Sequence, residues 1–312
     1  MTKNKRQLLV FSALVALLFY AGSVYMTDHQ KVMDELRIFT LPQLMLVFGL
    51  SLFNYGIRFF RWQGYLTKSG YKIPIKTGLM CYIAGFAFTT TPGKAGEAIR
   101  SVYLKQHQVD YRHSLATLVT ERVLDAFAML ILAGLLFFWL EDMSWGAYLT
   151  AFVTVGILAM LSTDSIMNRV HALFGVRSNT GEKKLLHHFM TMIQHSLLLM
   201  RRRQLIIGLV LGVIAWGAEG LGFYYILHFL GFDIDISVAI GIYAASMLAG
   251  AISFIPGGLG SAEAVMGGLL ILAGATLPVA IAATLVCRVA TLWFAVVLGI
   301  VFMLFMERKQ PI

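Results

Sequence analysis

The sequence predicts an all-α polytopic membrane protein with about six full transmembrane helices and two oppositely oriented re-entrant helical hairpins, arranged as an inverted internal repeat. Three observations carry this. The 312 residues are 58% apolar and only 13% charged, with a mean hydropathy of +0.76. Soluble domains hold about 25% charged residues, so a water-soluble globule is excluded. Apolar stretches of spanning length, about 20 residues, recur along the whole chain. Two of them are interrupted by Pro-Gly, which a membrane tolerates only where the freed backbone groups are buried in protein or face a wet cavity.

The first stretch, 7–26, follows a basic head of Lys3, Lys5 and Arg6 and reads as an uncleaved first helix. The second, 41–60, ends at Arg58, Arg61 and Trp62, which are expected to anchor it at the interface by snorkelling. The third, 74–91, runs into Thr-Thr-Thr-Pro-Gly at Thr89 to Gly93. Spans at 113–140 and 145–162 follow, and then 163–203, a basic, partly helical cytoplasmic connector too short for an enzyme domain. The second half comprises 204–231, 237–255 with a break at Ile255-Pro256-Gly257-Gly258, 262–276 and 278–306. One integral membrane domain, 1–312, is expected, with repeat halves at about 1–140 and 145–306. Cys81 and Cys287 both lie in apolar stretches, which excludes a disulfide framework.

Loop charge sets the topology. Residues 1–6, 58–76, 94–112, 163–203 and 307–312 hold three, five, four, seven and two Lys/Arg, or 21 of the 25. The stretches 27–40, 141–146 and 232–236 hold Lys31 and Arg37 against Asp28, Asp34, Glu35, Glu141, Asp142, Asp233 and Asp235. The basic set belongs inside and the acidic set outside, so both termini are expected in the cytoplasm, at the plasma (inner) membrane. The formal charge of +9 then reports cytoplasmic loops and not nucleic-acid binding.

Because 58–76 and 94–112 share a side, the run between them enters and returns as a hairpin. By the same parity, 237–276 leaves and returns on the outside. Ala84-Gly85 followed by Pro92-Gly93-Lys94-Ala95-Gly96-Glu97 recurs as Ala249-Gly250 followed by Pro256-Gly257-Gly258-Leu259-Gly260-Ser261-Ala262-Glu263. Each copy is followed by a membrane-buried Arg-Val, at Arg122 and Arg288. Inverted repeats with broken helices place a binding site near the midplane.

The charges inside apolar segments are the candidate chemistry, because each costs roughly 2.5–3.5 kcal/mol at a helix centre unless paired or hydrated. Arg122 and Arg288 sit about 14–15 Å into their spans, near the middle of a core about 30 Å thick. Arg122 and Asp125 are three residues apart and can pair, with Glu121 beside them. Arg288 has no acid within a turn, so Glu263 and Glu219 are its expected partners. At the first break, Gly93 and Gly96 offer bare N–H groups at a helix start, and Lys94 and Arg100 add full charges, which suits a phosphate. Gly257, Gly258 and Gly260 offer the same bare backbone at the second break. Glu97, Glu219 and Glu263 are candidates for charge pairing or proton coupling. His113, His187, His188 and His195 lack metal-ligand spacing, so no metal and no cofactor is expected. No catalytic set for a soluble cleft and no nucleotide motif is visible, and an enzyme is not expected.

Pro92-x-x-x-Gly96-Glu97-x-x-Arg100, Glu121-Arg122-x-x-Asp125, Pro256-Gly257-Gly258-Leu259-Gly260-x-x-Glu263 and Arg288 together resemble the lysylphosphatidylglycerol synthase transmembrane region, or YbhN-like flippase-like membrane proteins. The resemblance covers nearly the whole chain. In the larger synthases of that family a membrane module moves an aminoacylated phospholipid between leaflets, and a soluble domain attaches the amino acid. The resemblance implies the translocating module without the synthase domain. The expected function is transport of a phospholipid or polyprenyl-phosphate carrier across the bilayer. Its headgroup would be held by Lys94, Arg100, Arg122 and Arg288. Two alternatives stand beside this: a scaffold or regulator docking a lipid-modifying enzyme through 163–203, and an intramembrane lipid-linked group transferase using Asp125 or Glu97 as base.

Overall fold

The structure is a computed structural model and describes residues 29–139, 145–161 and 191–309. The expected first span, 7–26, and most of the 163–203 connector lie outside the described residues. Among those described, every regular element is helical. Apolar side chains such as Phe53, Phe60, Phe152, Ile206, Val210, Val297 and Val301 stand exposed along the outer helices. That is the pattern of a surface solvated by lipid, and the protein is membrane-embedded.

A short helix α1 (His29–Arg37) precedes α2 (Leu41–Lys68). Pro42 suits the first turn of α2, and the Thr40 N–H donates to Gln43 Oε1 at 2.8 Å. The first interrupted stretch is α3 (Ile75–Gly85), a 3-10 turn (Phe86–Phe88), a second 3-10 stretch (Pro92–Ala98) and α4 (Ile99–Lys105). Asp110 then caps α5 (Tyr111–Ala133) by accepting from the Arg112 N–H at 2.9 Å. Helix α6 (Trp145–Leu161) follows.

Residues 191–199 form α7, whose end packs on the core. Leu199 and Met200 are buried, and the Ser196 hydroxyl donates to the Ala116 carbonyl of α5 at 3.2 Å. The helix agrees with the partly helical connector expected over 163–203, and its buried face was not apparent among the basic residues around it.

Helix α8 (Arg202–Phe229) is, like α2, 28 residues long, and the two pack along each other. Its inner face is made of small residues, Gly208, Gly212 and Ala215, so α2 and α5 approach closely. Asp235 caps α9 (Ile236–Ile252), which leads through the second break into α10 (Ser261–Leu272). The final stretch is α11 (Leu277–Arg288), one π turn (Val289–Trp293) and α12 (Phe294–Lys309), a continuous rod from Leu277 to Lys309. A π turn immediately after Arg288 rotates the following helix face, an irregularity common at functional sites.

Three of these helices are long and apolar enough to cross a membrane: Leu41–Lys68, Arg202–Phe229 and Leu277–Arg308. Both interrupted stretches turn back at their Pro-Gly breaks. The breaks meet: Gly257 lies against Thr90, and the 3-10 turn Pro256–Gly258 packs on Pro92–Ala98. In the second break, Gly257, Gly258 and Gly260 have φ of 66°, 65° and 86°, a backbone region open to glycine and strained for other residues.

Candidate functional site

A cavity of about 280 Å³ lies where the two breaks meet, between α2, α5, α8, α9 and the π turn. Its wall takes Tyr55 and Arg58 from α2, and Phe86, Thr89, Thr91, Lys94 and Glu97 from the first hairpin. Arg122, Asp125 and Met129 come from α5, Trp216 and Glu219 from α8, and Tyr243 and Met247 from α9. Gly257, Gly258, Arg288 and Thr291 complete it. Phe254 and Ile255 also line it, yet they are 72% and 42% exposed. One edge of the cavity is therefore apolar and reaches the outer surface.

Arg122 and Arg288, predicted from opposite halves of the chain, open onto the same space. Arg122 Nη2 lies 3.1 Å from Asp125 Oδ2 and 3.9 Å from Glu97 Oε2. Its side chain is 23% exposed, whereas Arg58, Arg61, Arg100 and Arg288 are at most 4% exposed. Arg122 is thus the cation of this group most open to the cavity. Arg288 donates from Nε to Glu263 Oε1 at 2.8 Å and from Nη2 to the Gly257 carbonyl at 2.5 Å. The pairing with Glu263 is the one the sequence pointed to. Glu219 is instead the acceptor of the Tyr243 hydroxyl.

Asp125 sits among three guanidinium groups, with Arg61 Nη2 at 2.5 Å, Arg122 at 3.1 Å and Arg58 Nη2 at 3.6 Å. This overturns the reading of Arg58, Arg61 and Trp62 as interface anchors, since they are only 3%, 3% and 1% exposed. The helix continues past them through Tyr65 and Leu66 to Lys68, both of the former buried, so the arginines lie inside the protein. Asn54, Tyr55, Arg58 and Arg61 share one face at helical spacing, and that spacing was the signal available in the sequence.

The remaining expected residues form a layer behind the cavity. Arg100 bridges Glu97 at 2.9 Å and Glu121 at 3.1 Å, stacks over Tyr82 at 4.7 Å, and does not line the cavity. Glu121 also accepts from the Tyr82 hydroxyl at 3.2 Å, so it pairs with Arg100 and not with its neighbour Arg122. Glu263 caps its own helix, accepting from the Gly260 N–H at 2.8 Å.

Three of the N–H groups expected to seat an anion are used within the loops. Gly96 donates to Thr91 Oγ1 at 2.6 Å, Gly258 to the Ile255 carbonyl at 2.8 Å, and Gly260 to Glu263. Short 3-10 turns and a glutamate cap satisfy the orphan donors locally. The expectation for Gly93 falls outside the described residues.

Cationic side chains stand on the wall instead, those of Arg58, Lys94, Arg122 and Arg288. Nε of Arg58, Nε of Arg122 and Nε1 of Trp216 are buried behind it without a hydrogen-bond partner among the described residues. The Trp216 ring is also approached by Arg58 at 4.9 Å and by Lys94 Nζ at 5.3 Å. A wall carrying four cations and an apolar mouth is chemically suited to the oxygens of an anion attached to an apolar tail.

The sequence matches other proteins over its full membrane region. A UPF0104 membrane protein of Pyrococcus horikoshii is 25% identical, with 92% of each chain covered. One from Methanothermobacter thermautotrophicus is 25% identical over 96% of this chain and 94% of its own. A third, from Methanocaldococcus jannaschii, is 23% identical over 99% and 96%. The sequence model of the lysylphosphatidylglycerol synthase TM region matches residues 7–299, and the chain belongs to that family.

Proposed function

We propose that this protein is a lipid flippase that moves a phosphate-bearing amphiphile, a phospholipid or a polyprenyl-phosphate carrier, between the leaflets. One observation carries the reading: both helix breaks and both midspan arginines, Arg122 and Arg288, open onto a single cavity with an apolar mouth. At about 280 Å³ the space is near the lower end of small-molecule sites, roughly 300 Å³. It suits a headgroup while the chains stay in the bilayer beside Phe254 and Ile255. Arg122, Arg288 and Lys94 would meet the phosphate, with Arg58 and Trp216 donating from the remaining wall. Arg100 would act through Glu97 and Glu121, holding the first hairpin in place.

In this reading the chain is an inverted repeat of about six full spans and two oppositely oriented hairpins, with cytoplasmic termini at the plasma membrane. Support comes from matched elements. Helices α2 and α8 are equally long, a broken hairpin follows each, and a helix with a cavity-lining arginine follows each hairpin. Arg122 is 11 residues after Tyr111 (122 − 111) and Arg288 is 11 after Leu277 (288 − 277). Each arginine pairs with the glutamate of the preceding hairpin, Glu97 or Glu263. Rocking of one half against the other would alternate access to the cavity. The lipid is carried unchanged, so the protein acts as a transporter and not as an enzyme, without metal or cofactor.

The test is leaflet exchange of headgroup-labelled phosphatidylglycerol in vesicles containing the purified protein. Exchange above that of protein-free vesicles, lost in Arg122→Gln and Arg288→Gln, supports the reading. Exchange indifferent to both substitutions removes it, and a product of altered mass favours a transferase.

A further inference from the structure

Of the five carboxylates in the buried network, four are held by arginine. Asp125, Glu97, Glu121 and Glu263 each have a guanidinium nitrogen between 2.5 and 3.1 Å. Glu219 has none within 4.0 Å among the described residues. Its partner is the Tyr243 hydroxyl, and it is only 4% exposed, on the cavity wall. The groups facing it are Tyr55 and Arg58 of α2, Lys94 of the first break, Asp125 of α5, Tyr243 of α9 and Cys287 of α11. Arg58 is engaged elsewhere, with Asp125 at 3.6 Å and over Trp216 at 4.9 Å. Glu219 can therefore gain or lose a proton without breaking an ion pair, which none of the other four can do.

The charge of the network depends on that proton. Arg58, Arg61, Lys94, Arg100, Arg122 and Arg288 are six cations against five carboxylates. With Glu219 ionised the excess is a single positive charge, and with Glu219 neutral it is two. An anion entering the cavity also meets the Glu219 carboxylate on the same wall, and a proton removes that repulsion.

We propose that Glu219 is a proton site, and that seating the phosphate of the lipid headgroup is coupled to uptake of one proton there. This rests on the headgroup-carrying role proposed above and adds its coupling ion. Protonation of Glu219 favours the loaded state, and loss of the proton on the far side favours release. A proton gradient thereby gives the movement a direction.

The test is binding to the purified full chain in detergent between pH 5.0 and 7.0. The probes are short-chain phosphatidylglycerol, whose phosphodiester does not titrate in that range, and geranyl phosphate in a parallel arm. The arm with the tighter binding separates the phospholipid from the polyprenyl source. For wild type, phosphatidylglycerol affinity is expected to fall with rising pH, by up to about tenfold per unit where one proton is taken up. A pH indicator in weakly buffered solution should register up to one proton absorbed per lipid bound. Glu219→Gln should bind with no pH slope and absorb no proton. Tyr243→Phe, which keeps the carboxyl group, should retain the slope at a shifted midpoint. Binding that is lost in Arg122→Gln but is independent of pH, with no proton absorbed by wild type, overturns this proposal and leaves the headgroup reading intact. A wild-type slope preserved in Glu219→Gln also overturns it. Absence of binding by wild type to both probes removes the headgroup reading, and this proposal with it.

Discussion

Arg288 Nε lies 2.8 Å from Glu263 Oε1, and this buried pair ties the last long helix to the returning arm of the second hairpin. Glu263 uses its other oxygen to cap that arm at Gly260, while Arg288 also holds the Gly257 carbonyl of the break. Two side chains thus fix the break, the arm and the helix together. Removing one partner of a buried pair leaves an uncompensated charge and costs about 3–5 kcal/mol. Glu263→Gln is expected to lower the unfolding free energy in detergent by that amount, read as a lower denaturation midpoint. The double variant Glu263→Gln/Arg288→Met should lose less than the two single losses added together. Strict additivity would show that the pair is not coupled.

Arg122 is expected to behave differently. Asp125 keeps Arg61 and Arg58 when Arg122 is replaced, and the side chain is more open than those of Arg58, Arg61, Arg100 and Arg288. Arg122→Gln should change the unfolding free energy little, by less than about 1 kcal/mol. Affinity for a phosphate-bearing lipid should drop roughly 10- to 100-fold, the equivalent of a hydrogen bond to a charged group, about 1.5–3 kcal/mol. Titration calorimetry beside thermal unfolding separates the two effects.

Asp125 should be the least replaceable acid. Asp125→Asn strands Arg61 and weakens the hold on Arg58 and Arg122 at once. The expected loss is at least the 3–5 kcal/mol of a broken buried pair, larger than for Arg61→Met, which leaves Asp125 two other cations. Equal midpoints for the two variants would contradict the three-arginine cluster.

Gly299 of α12 passes directly against the backbone at Phe86 and Ala87, where a Cβ would overlap main-chain atoms. Gly299→Val should force the first hairpin away from the last helix and destabilise by about 1–3 kcal/mol. Gly217, with open space beside it, provides the matched control as Gly217→Ala, for which little loss is expected.

The proposed opposite orientation of the hairpins gives a labelling pattern. In a background with Cys81 and Cys287 replaced, single cysteines at Gly70 and Gln108 flank the first hairpin, and those at Gly231 and Gly274 flank the second. An impermeant thiol reagent should reach the first pair only from the cytoplasmic side and the second only from outside. One-sided labelling of all four would end the inverted arrangement.

The helical architecture and both breaks were legible in the sequence because apolar length and Pro-Gly interruptions are local signals. Arg122 and Arg288 line one cavity, and their matched places after the two Pro-Gly breaks were the signal for this in the sequence. The assignment of Arg58 and Arg61 failed for a physical reason. An arginine near a span's end has the same local surroundings whether it snorkels or is buried, and the partner that decides it, Asp125, is 64 residues away from Arg61. Tyr55, Trp216 and Tyr243 were missed likewise, since aromatic residues abound in membrane helices and only the packed cavity sets these three apart. Of the loop glycines, Gly96, Gly258 and Gly260 spend their N–H groups within the turns, which the spacing of glycines in the sequence does not reveal.

The most direct test of the central claim is photo-crosslinking from a phosphatidylglycerol that bears a diazirine on its headgroup, with adducts mapped by mass spectrometry. Adducts on Met129, Trp216 and Met247, which line the cavity, and their loss in Arg122→Gln are the predicted result. Adducts confined to the outer surface at Phe152, Ile206 and Val297, unchanged by Arg122→Gln, would contradict it.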